Sequence, residues 1–235
     1  MAIHSTTSGT NRWFGNAAVL DNPFDGGGTW MCWVFHDVES SGAQQHMVDK
    51  GGIVWIFQQH ASGNNRLRLS VAFSTTGGTW FTPFPADVPQ GVWHHLAVRY
   101  NADDVANDPA FFVNAVDAGI EEATAPVGTR DANTATPNIG GSGGSPGRHF
   151  QEDLRFYNRE LSDAELITIV NSRGVDGIVD GLIFRHMQNE GSEGVAVPTT
   201  AGFIKDRGPF KIDGLNAASN PTYEAGVIRT RRKVA

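Results

Sequence analysis

The sequence predicts an all-β protein, a two-sheet antiparallel β-sandwich or jelly roll with one short helix near residues 162–172. Three observations predict this class. Apolar runs of about four to eight residues recur, clusters of Gly (28 residues) and Pro (11 residues) separate them, and only one segment has helical periodicity. A parallel α/β fold is excluded because the crossover helices that join parallel strands are missing. The 235 residues fit one large sandwich, and a hydrophobic content of 40% is enough for a continuous core.

The predicted strands follow one another along the first half of the chain. An N-terminal arm with a first strand (residues 1–27) precedes the main domain, which we expect to span residues 28–225. Within it, the strand-like segments are 29–38, 53–59, 66–74, 79–84, 92–100 and 110–116. In the third of these, Leu67, Leu69 and Val71 alternate with polar residues. Because strand side chains alternate with a period of two, these apolar residues share one buried face.

The segment NRELSDAELITIVNSRG carries the signals of the one helix. Ser162 stands at the N-cap position and Glu165 follows three residues later, which is the spacing of a capping box. Leu161 can pack on Leu166 as a hydrophobic staple, and Gly174 suits a left-handed C-cap. The chain before and after this helix is β in pattern.

The remaining segments are a loop, a strand and a tail. Clustered glycines predict a loop at residues 128–149, which lacks the Lys-Ser/Thr pair that a phosphate-binding loop requires. GLIFRHMQ (181–188) returns to a strand pattern, and residues 226–235 form a basic C-terminal tail.

Three segments resemble, in order, the motifs of one known family. QGVWHHLAVRY (90–100) is similar to the Gly-x-Trp-His-His-Val-Ala-Val-x-Tyr strand of laminin-G-like domains, and FVNAV (112–116) to the strand after it. FQEDLRFYNRELS (150–162) resembles the later strand that leads into a short helix. The chain is therefore identified, over about residues 28–172, as a laminin-G-like domain of the concanavalin A-like lectin/glucanase superfamily. The resemblance implies a β-sandwich of the concanavalin A-like type.

One element of the family pattern is displaced. A Gly-Leu-x-x-x-Trp segment and an Asp-x-Ser-Gly-x-Gly segment usually precede the first strands of the domain. Here the similar residues come late, at GLIF (181–184), NEG (189–191) and DRG (206–208). We interpret this part as a permuted or appended edge region that completes the same sandwich.

His94 and His95 stand side by side in the predicted strand 92–100. Neighbouring strand residues point to opposite faces, so the two imidazoles cannot bind one metal ion without a bulge. We interpret them as structural side chains that hydrogen-bond to adjacent strands or loops. A shared metal or proton-transfer site is the alternative.

The sequence predicts no catalytic residues. Glucanases of the superfamily carry a run of three acids on one strand, which places a nucleophile and an acid on one face. Asp37 and Glu39 lack the third acid, and Glu152 and Asp153 are adjacent and so point apart. Ser-nucleophile and zinc motifs are missing, and the single cysteine, Cys32, is expected to be a buried hydrophobe. We expect a non-catalytic protein.

Oxygen-bearing side chains crowd the loop after strand 92–100. Laminin-G-like domains often hold Ca²⁺ at a rim of the sandwich, and Ca²⁺ prefers oxygen ligands. The alternative is a solvated turn, where Asp and Asn are common. The candidate Ca²⁺ ligands are Asp103, Asp104, Asn107 and Asp108, with Asn101 beside them.

Two further sets of residues are candidates for binding. Trp80 and Phe81 could stack on sugar rings, as could the neighbouring Phe84 and the more distant Trp13 and Phe14, although core packing is the commoner fate of aromatic residues. A basic tail against an acidic body could dock on a sister subunit or a larger assembly, or remain solvated. Its candidate docking residues are Arg229, Arg231, Arg232 and Lys233.

Composition restricts the partners. The net charge of −7 disfavours broad nucleic-acid binding, and no apolar run approaches the ~20 residues of a membrane helix. The N-terminus lacks the basic start and apolar run of a secretory signal. We therefore expect a protein made in a reducing cytoplasm without a signal peptide.

Two functions remain open, and the sequence favours the first. The first is a non-catalytic virion structural protein, such as a phage capsid decoration protein on the particle surface, homo-oligomeric and docked on a major capsid protein. Laminin-G-like domains usually work outside cells, and lysis releases a particle without secretion. The second is a glycan- or protein-binding adhesion module, with or without Ca²⁺. The two are compatible if a decoration protein binds a host glycan.

Overall fold

The computed structural model describes most of the chain and confirms the predicted antiparallel β-sandwich with one helix. The residues that it describes are 2–5, 12–14, 17–36, 44–59, 65–83, 88–131, 133–142, 145–146, 149–199, 204–216 and 222–226. Among them, no helix is both long and apolar enough to cross a membrane.

Two eight-stranded sheets form the sandwich, and every strand pair in them is antiparallel. Sheet A contains, in spatial order, β10 (Val116–Asp117), β9 (Ala110–Val113), β8 (Trp93–Tyr100), β3 (Gly28–His36), β15 (His149–Tyr157), β1 (Ala2–Ser5) and β18 (Thr222–Glu224), with β16 (Leu182–His186) also paired to β15. Sheet B contains β11 (Glu121–Thr124), β7 (Gly78–Phe81), β6 (Asn65–Val71), β5 (Ile53–Gln59), β4 (Gln44–Asp49), β12 (Asn138–Ile139), β2 (Arg12–Phe14) and β17 (Gly214–Asn216). A small ribbon pairs β13 (Gly141–Ser142) with β14 (Ser145–Pro146).

The main core lies between the two sheets. Trp30 and Cys32 of β3 and Leu67 and Leu69 of β6 belong to one cluster of buried apolar side chains. The Trp30 ring stacks on Phe156 of β15, with ring centroids 4.6 Å apart. β6 alternates buried and partly exposed residues along its whole length, as its sequence predicts. Cys32 is fully buried, which confirms its expected role as a small hydrophobe.

A second apolar layer covers the outer face of sheet A. The helix α1 (Asp163–Ser172) places Leu166 and Ile169 against Met31 and Tyr157 of that sheet. Its start confirms the predicted capping box, because the Ser162 hydroxyl accepts from the Glu165 backbone N–H at 3.3 Å and the Glu165 carboxylate accepts from the Ser162 backbone N–H at 2.8 Å.

Several strands lie where the sequence predicted a loop or no element. β12 falls inside the predicted loop 128–149 and inserts between β4 and β2 of sheet B. The expected N-terminal arm contains β1 and β2, which belong to opposite sheets, and β18 extends to Glu224 beside β1. The segment 110–116 is a hairpin, because Asn114 and Ala115 have left-handed φ angles of 52° and 62° between β9 and β10.

Candidate functional site

His94 and His95 lie on opposite faces of β8, so they do not converge on one ion. His94 is paired with Val34 and His95 with Trp33 across β3. Asn114 contacts both residues: its Oδ1 accepts from the His95 backbone N–H at 2.9 Å, and its Nδ2 donates to His94 Nδ1 at 3.2 Å. Burial, followed by the charge of nearby Arg155, lowers the pKa of His95 to about 3. The two side chains therefore belong to the sheet, and the expected imidazole hydrogen bond is seen for His94, whereas Asn114 contacts His95 through its backbone.

The acidic loop after β8 is held by its own side chains. Asn101 Oδ1 accepts from the Asp103 backbone N–H and Asp104 Oδ1 accepts from the Ala106 backbone N–H, each at 2.9 Å. Asp103 Oδ1 accepts in turn from the Gly26 backbone N–H at 2.9 Å. The described ranges contain no group of three His, Cys, Asp or Glu side chains arranged to hold a metal ion. Ca²⁺ binding by Asp103, Asp104, Asn107 and Asp108 stays a prediction.

The expectation that Trp80 stacks on a sugar is wrong, because its ring is fully buried in the core. The Trp80 indole N–H donates to Asp108 Oδ1 at 2.8 Å, and its ring lies 5.2 Å from that of Tyr100. Phe81 is only 8% exposed, and the guanidinium of Arg66 covers its ring at 3.7 Å. Neither ring therefore offers a free face.

Other predicted site residues lie outside the described residues. This holds for the basic tail, for the acids of the segment after β3 and for one of the aromatic candidates. They are Arg229, Arg231, Arg232, Lys233, Asp37, Glu39 and Phe84. The side chains of Trp13 and Phe14 are likewise not described.

Three loops form a pocket at one end of the sandwich, which we call the rim pocket. The loop before β3, the loop after β8 and the segment after β11 surround a cavity of about 330 Å³. The last segment is held against sheet B by a backbone bridge between Phe73 and Arg130. The side chains that matter for its chemistry are Asp25, Phe73, Asp103, Val105, Thr129 and Arg130.

Arg130 is the unusual residue of the rim pocket. Its side chain is 8% exposed, and its Nε lies 3.7 Å from Asp25 Oδ1, too far for a hydrogen bond. Nη1 donates to the Asp131 backbone carbonyl, but Nε and Nη2 meet no acceptor in the described part of the chain. Leaving a buried donor without a partner costs about 1–3 kcal/mol, and more for a charged group. The wall of the pocket therefore contains a guanidinium whose hydrogen-bonding capacity is only partly used.

Carboxylates supply the complementary acceptors in the rim pocket. Burial raises the pKa of Asp25, Arg130 opposes this shift, and the neighbouring Asp103 carboxylate adds to it. Burial likewise lowers the pKa of Arg130, and Asp25 opposes that change. The buried Phe73 and the exposed Val105 add apolar wall. One cavity thus combines donors, acceptors and apolar surface.

A smaller cavity of about 210 Å³ lies on the outer face of sheet A. Phe35, Trp93 and Phe150 form its aromatic wall, with ring centroids 5.2–6.4 Å apart, and Glu193 and Ala225 complete it. Trp93 begins β8 and Tyr100 ends it, so this cavity and the rim pocket lie toward opposite ends of a strand about 23 Å long. Its volume is below the ~300 Å³ at which small-molecule sites usually begin.

The comparisons with known proteins agree with the fold. A family model described as the concanavalin A-like lectin/glucanases superfamily, of the laminin G type, matches residues 7–167. This is more than half of the chain, so the protein belongs to that superfamily. No curated protein sequence matches the chain.

Solved structures with this fold are distant in sequence. The chain is similar to a candidate carbohydrate-binding protein of Bacteroides ovatus, with a TM-score of 0.63 and 15% identity over 95% of this chain and 60% of that one. It is also similar to a heptameric SAP-like pentraxin of Limulus polyphemus, with a TM-score of 0.51 and 15% identity over 79% of this chain and 90% of that one. At these identities the similarity shows the fold alone, and this chain spans about 60% of the length of the Bacteroides protein.

One of the three charged residues of the rim pocket could be predicted from the sequence. Asp103 was a candidate because it lies in an acidic cluster, whereas Asp25 and Arg130 stand alone among turn residues. Only the pairing of β3, β8 and the segment at 127–130 brings them together. No spacing rule in the sequence connects positions so far apart.

Proposed function

We propose that the protein binds carbohydrate without transforming it and that the rim pocket holds a sugar ring. The superfamily to which the chain belongs supports this proposal, as does the similarity to a structure described as a candidate carbohydrate-binding protein. The observation that carries it is Arg130, a buried guanidinium in the pocket wall with two N–H groups that meet no hydrogen-bond acceptor among the described residues.

A sugar suits the mixture of groups in this pocket. Each hydroxyl both donates and accepts, so a saccharide can accept from Arg130 while it donates to Asp25 and Asp103. Hydrogen bonds to charged groups are about twice as strong as neutral ones, and they set the orientation of the ring. The C–H face of the sugar can then pack against Phe73 and Val105. The cavity of about 330 Å³ lies within the usual range for small-molecule sites.

Calorimetric titration with oligosaccharides chosen from a glycan array tests the proposal. We expect Arg130→Gln to weaken binding by about tenfold or more, because the sugar loses charge-assisted hydrogen bonds. Asp25→Asn provides a second variant, since this side chain is 44% exposed and its replacement leaves the core intact. Titrations with Ca²⁺ and with a chelator show whether the loop of Asp103 and Asp104 adds a Ca²⁺ requirement.

Two control variants test whether the loss of binding is specific to the rim pocket. Arg207→Gln removes the same charge from an exposed position and should leave binding unchanged. Trp93→Ala alters the aromatic cavity at the other end of β8, so loss of binding there and not in Arg130→Gln would move the site to that cavity. The same samples are assayed for newly released reducing sugar, because paired carboxylates beside a sugar also occur in hydrolases. We expect none.

The virion interpretation stays a prediction without support from the comparisons. Neither the superfamily nor the similar structures points to a capsid partner, and the tail residues on which docking depends lie outside the described residues. Of the two functions that the sequence left open, the glycan-binding module is the better supported.

A further inference from the structure

A polar cavity, which we call the sheet B pocket, opens on the outer face of sheet B. It measures about 260 Å³, and its walls come from the ends of β6 and β7 and from the turn before β5. A side chain on Gly78 would collide with the Trp80 ring, because a Cβ there would lie 2.1 Å from it. The residues that shape the pocket are Gly51, Gly52, Arg68, Ser70, Gly78 and Thr79.

Arg68 is the charged group of this pocket. Its Nε donates to Ser70 Oγ at 2.9 Å, and Ser70 Oγ lies 3.3 Å from Thr79 Oγ1. Within the described ranges, Arg68 forms no ion pair with a carboxylate. Burial, and then the like charge of Arg66, lower the pKa of Arg68. An anion beside Arg68 would favour the charged guanidinium and so oppose both causes of the lowered pKa.

The two arginines on this face of sheet B are neutralised only loosely by carboxylates. Arg66 projects from the same face two residues earlier and lies 3.6 Å from the half-exposed carboxylate of Glu121. Asp49 lies further along this face, where its Oδ1 accepts from the Gly51 backbone N–H at 2.9 Å. Two guanidinium groups therefore lie near the pocket. Of the two nearby carboxylates, Glu121 is loosely paired with Arg66, and Asp49 already accepts a hydrogen bond from the turn at Gly51.

The sheet B pocket and the rim pocket share a wall of backbone. Ala72 lines the first and Phe73 lines the second, and the Cα atoms of consecutive residues are about 3.8 Å apart. Backbone hydrogen bonds from Ala72 N–H to Gly52 (2.7 Å) and from Asp131 N–H to Ala72 (3.3 Å) hold this wall in place. The two pockets therefore lie on either side of one backbone segment, and only a saccharide longer than one ring could occupy both.

We infer that the sheet B pocket is a second subsite, in which Arg68 binds the carboxylate or sulfate group of an acidic oligosaccharide whose neighbouring sugar occupies the rim pocket. This inference rests on the proposed function. The planar guanidinium can donate two parallel hydrogen bonds to either anion, and the hydroxyls of Ser70 and Thr79 can donate to a third oxygen.

Calorimetry with three matched probes tests the inference: neutral galactotriose, trigalacturonate and a sulfated galactose oligosaccharide from carrageenan. We expect wild-type protein to bind at least one acidic probe about tenfold to a hundredfold more tightly than the neutral one. Comparison of the two acidic probes shows whether the anion is a carboxylate or a sulfate. Added NaCl should reduce the preference, because ions screen exposed charges.

Variants separate the inference from the proposed function. Arg68→Gln should abolish the preference and retain binding of the neutral probe, Arg68→Lys should keep part of it, and Arg207→Gln should keep all of it. Thermal melting confirms that each variant is folded. Tighter binding of the neutral probe by wild type, or an unchanged preference in Arg68→Gln, overturns the inference and leaves the proposed function standing. Wild-type protein that binds none of the three probes overturns the inference and counts against the proposed function.

Discussion

His95 is a titratable side chain enclosed in the outer layer of sheet A. It is 1% exposed, and its ring meets that of Trp33 edge-on with centroids 5.3 Å apart. Burial is the largest cause of its lowered pKa, and the charge of Arg155 is the second. A group with these neighbours remains neutral in the folded protein and cannot shuttle protons near neutral pH.

This shift makes stability depend on pH. In the unfolded chain His95 takes up a proton near pH 6.5, whereas in the folded protein it does so only near pH 3. Below pH 6.5 the unfolded state binds more protons, so the free energy of unfolding falls by up to about 1.4 kcal/mol per pH unit until about pH 3. Urea titrations from pH 7.5 to 4.5 should show this fall, and His95→Gln should flatten it. An equally steep slope in the variant would assign the acid sensitivity to other groups.

At the scale of elements, a buried ion network connects the exit of α1 to sheet A. Arg155 Nη1 and Nη2 donate to the carboxylate of Asp176 at 2.8 and 2.7 Å, just beyond the helix. Its Nε also donates to Asp153 at 3.0 Å, and Arg185 of β16 donates to Asp153 at 2.7 Å. Burial alone would raise the pKa of Asp176, but the hydrogen bonds and charge of Arg155 lower it to about 2. The network therefore fixes β15, β16 and the helix exit relative to one another.

Removal of the central arginine should be costly. Arg155→Met leaves the carboxylates of Asp153 and Asp176 buried with fewer counter-charges, and we expect a loss of about 3–5 kcal/mol in the free energy of unfolding. The control is Arg159→Met, which removes a partly exposed arginine paired with Glu165 and should cost about 1 kcal/mol or less. Urea unfolding at pH 7 measures both. Similar losses of unfolding free energy in the two variants would show that the buried network stabilises the protein no more than the partly exposed pair does.

At the scale of the whole molecule, strands from both ends of the described chain pair within the two sheets of the sandwich. β1 lies between β15 and β18 in sheet A, and β2 pairs with β17 in sheet B. β16 adds Ile183 and Phe184 to the core between the sheets. The family model ends at residue 167, but the sheets continue to Glu224. The matched segment is therefore smaller than the folded unit.

Truncation tests the extent of this unit. A chain that ends at residue 180 lacks β16, β17 and β18, and we expect it to lose the cooperative thermal transition because core side chains and strand partners are missing. A chain that ends at residue 226 keeps all described strands and should melt like the full chain. Differential scanning calorimetry distinguishes them. A cooperative transition in the shorter chain would show that the late strands are an addition to a complete domain.

The fold could be predicted in outline because its central strands are long and apolar. β3, β5, β6 and β8 each carry buried side chains in a run or an alternation that the sequence displays directly. Short or polar strands carry no such pattern: β4 reads QQHMVD, β12 is NI and β18 is TYE. β12 and β18 form strands only beside partners that are distant in the chain, and β4 lies between its neighbour β5 and the distant β12.

The candidate site could be predicted only in part. Alternation along β7 shows that Trp80 and Phe81 face opposite sides, but it does not tell which side is covered, and here both rings are covered. Arg130 gives no signal in sequence, since an isolated arginine in a turn is usually solvated. Its importance comes from a deficit of hydrogen-bond acceptors that exists only once three loops have met.

The proximity of β1 and β18 has a consequence for the order of the strands along the chain. Because the first and last described strands are neighbours, with Ala2 opposite Glu224, a short peptide could join them without rearranging either sheet. A circular permutant that begins at β16 and runs through such a join into β1 would have the same spatial arrangement of strands. It would also place the segment 181–184 ahead of the first strands, which is the order of the family pattern that this segment resembles.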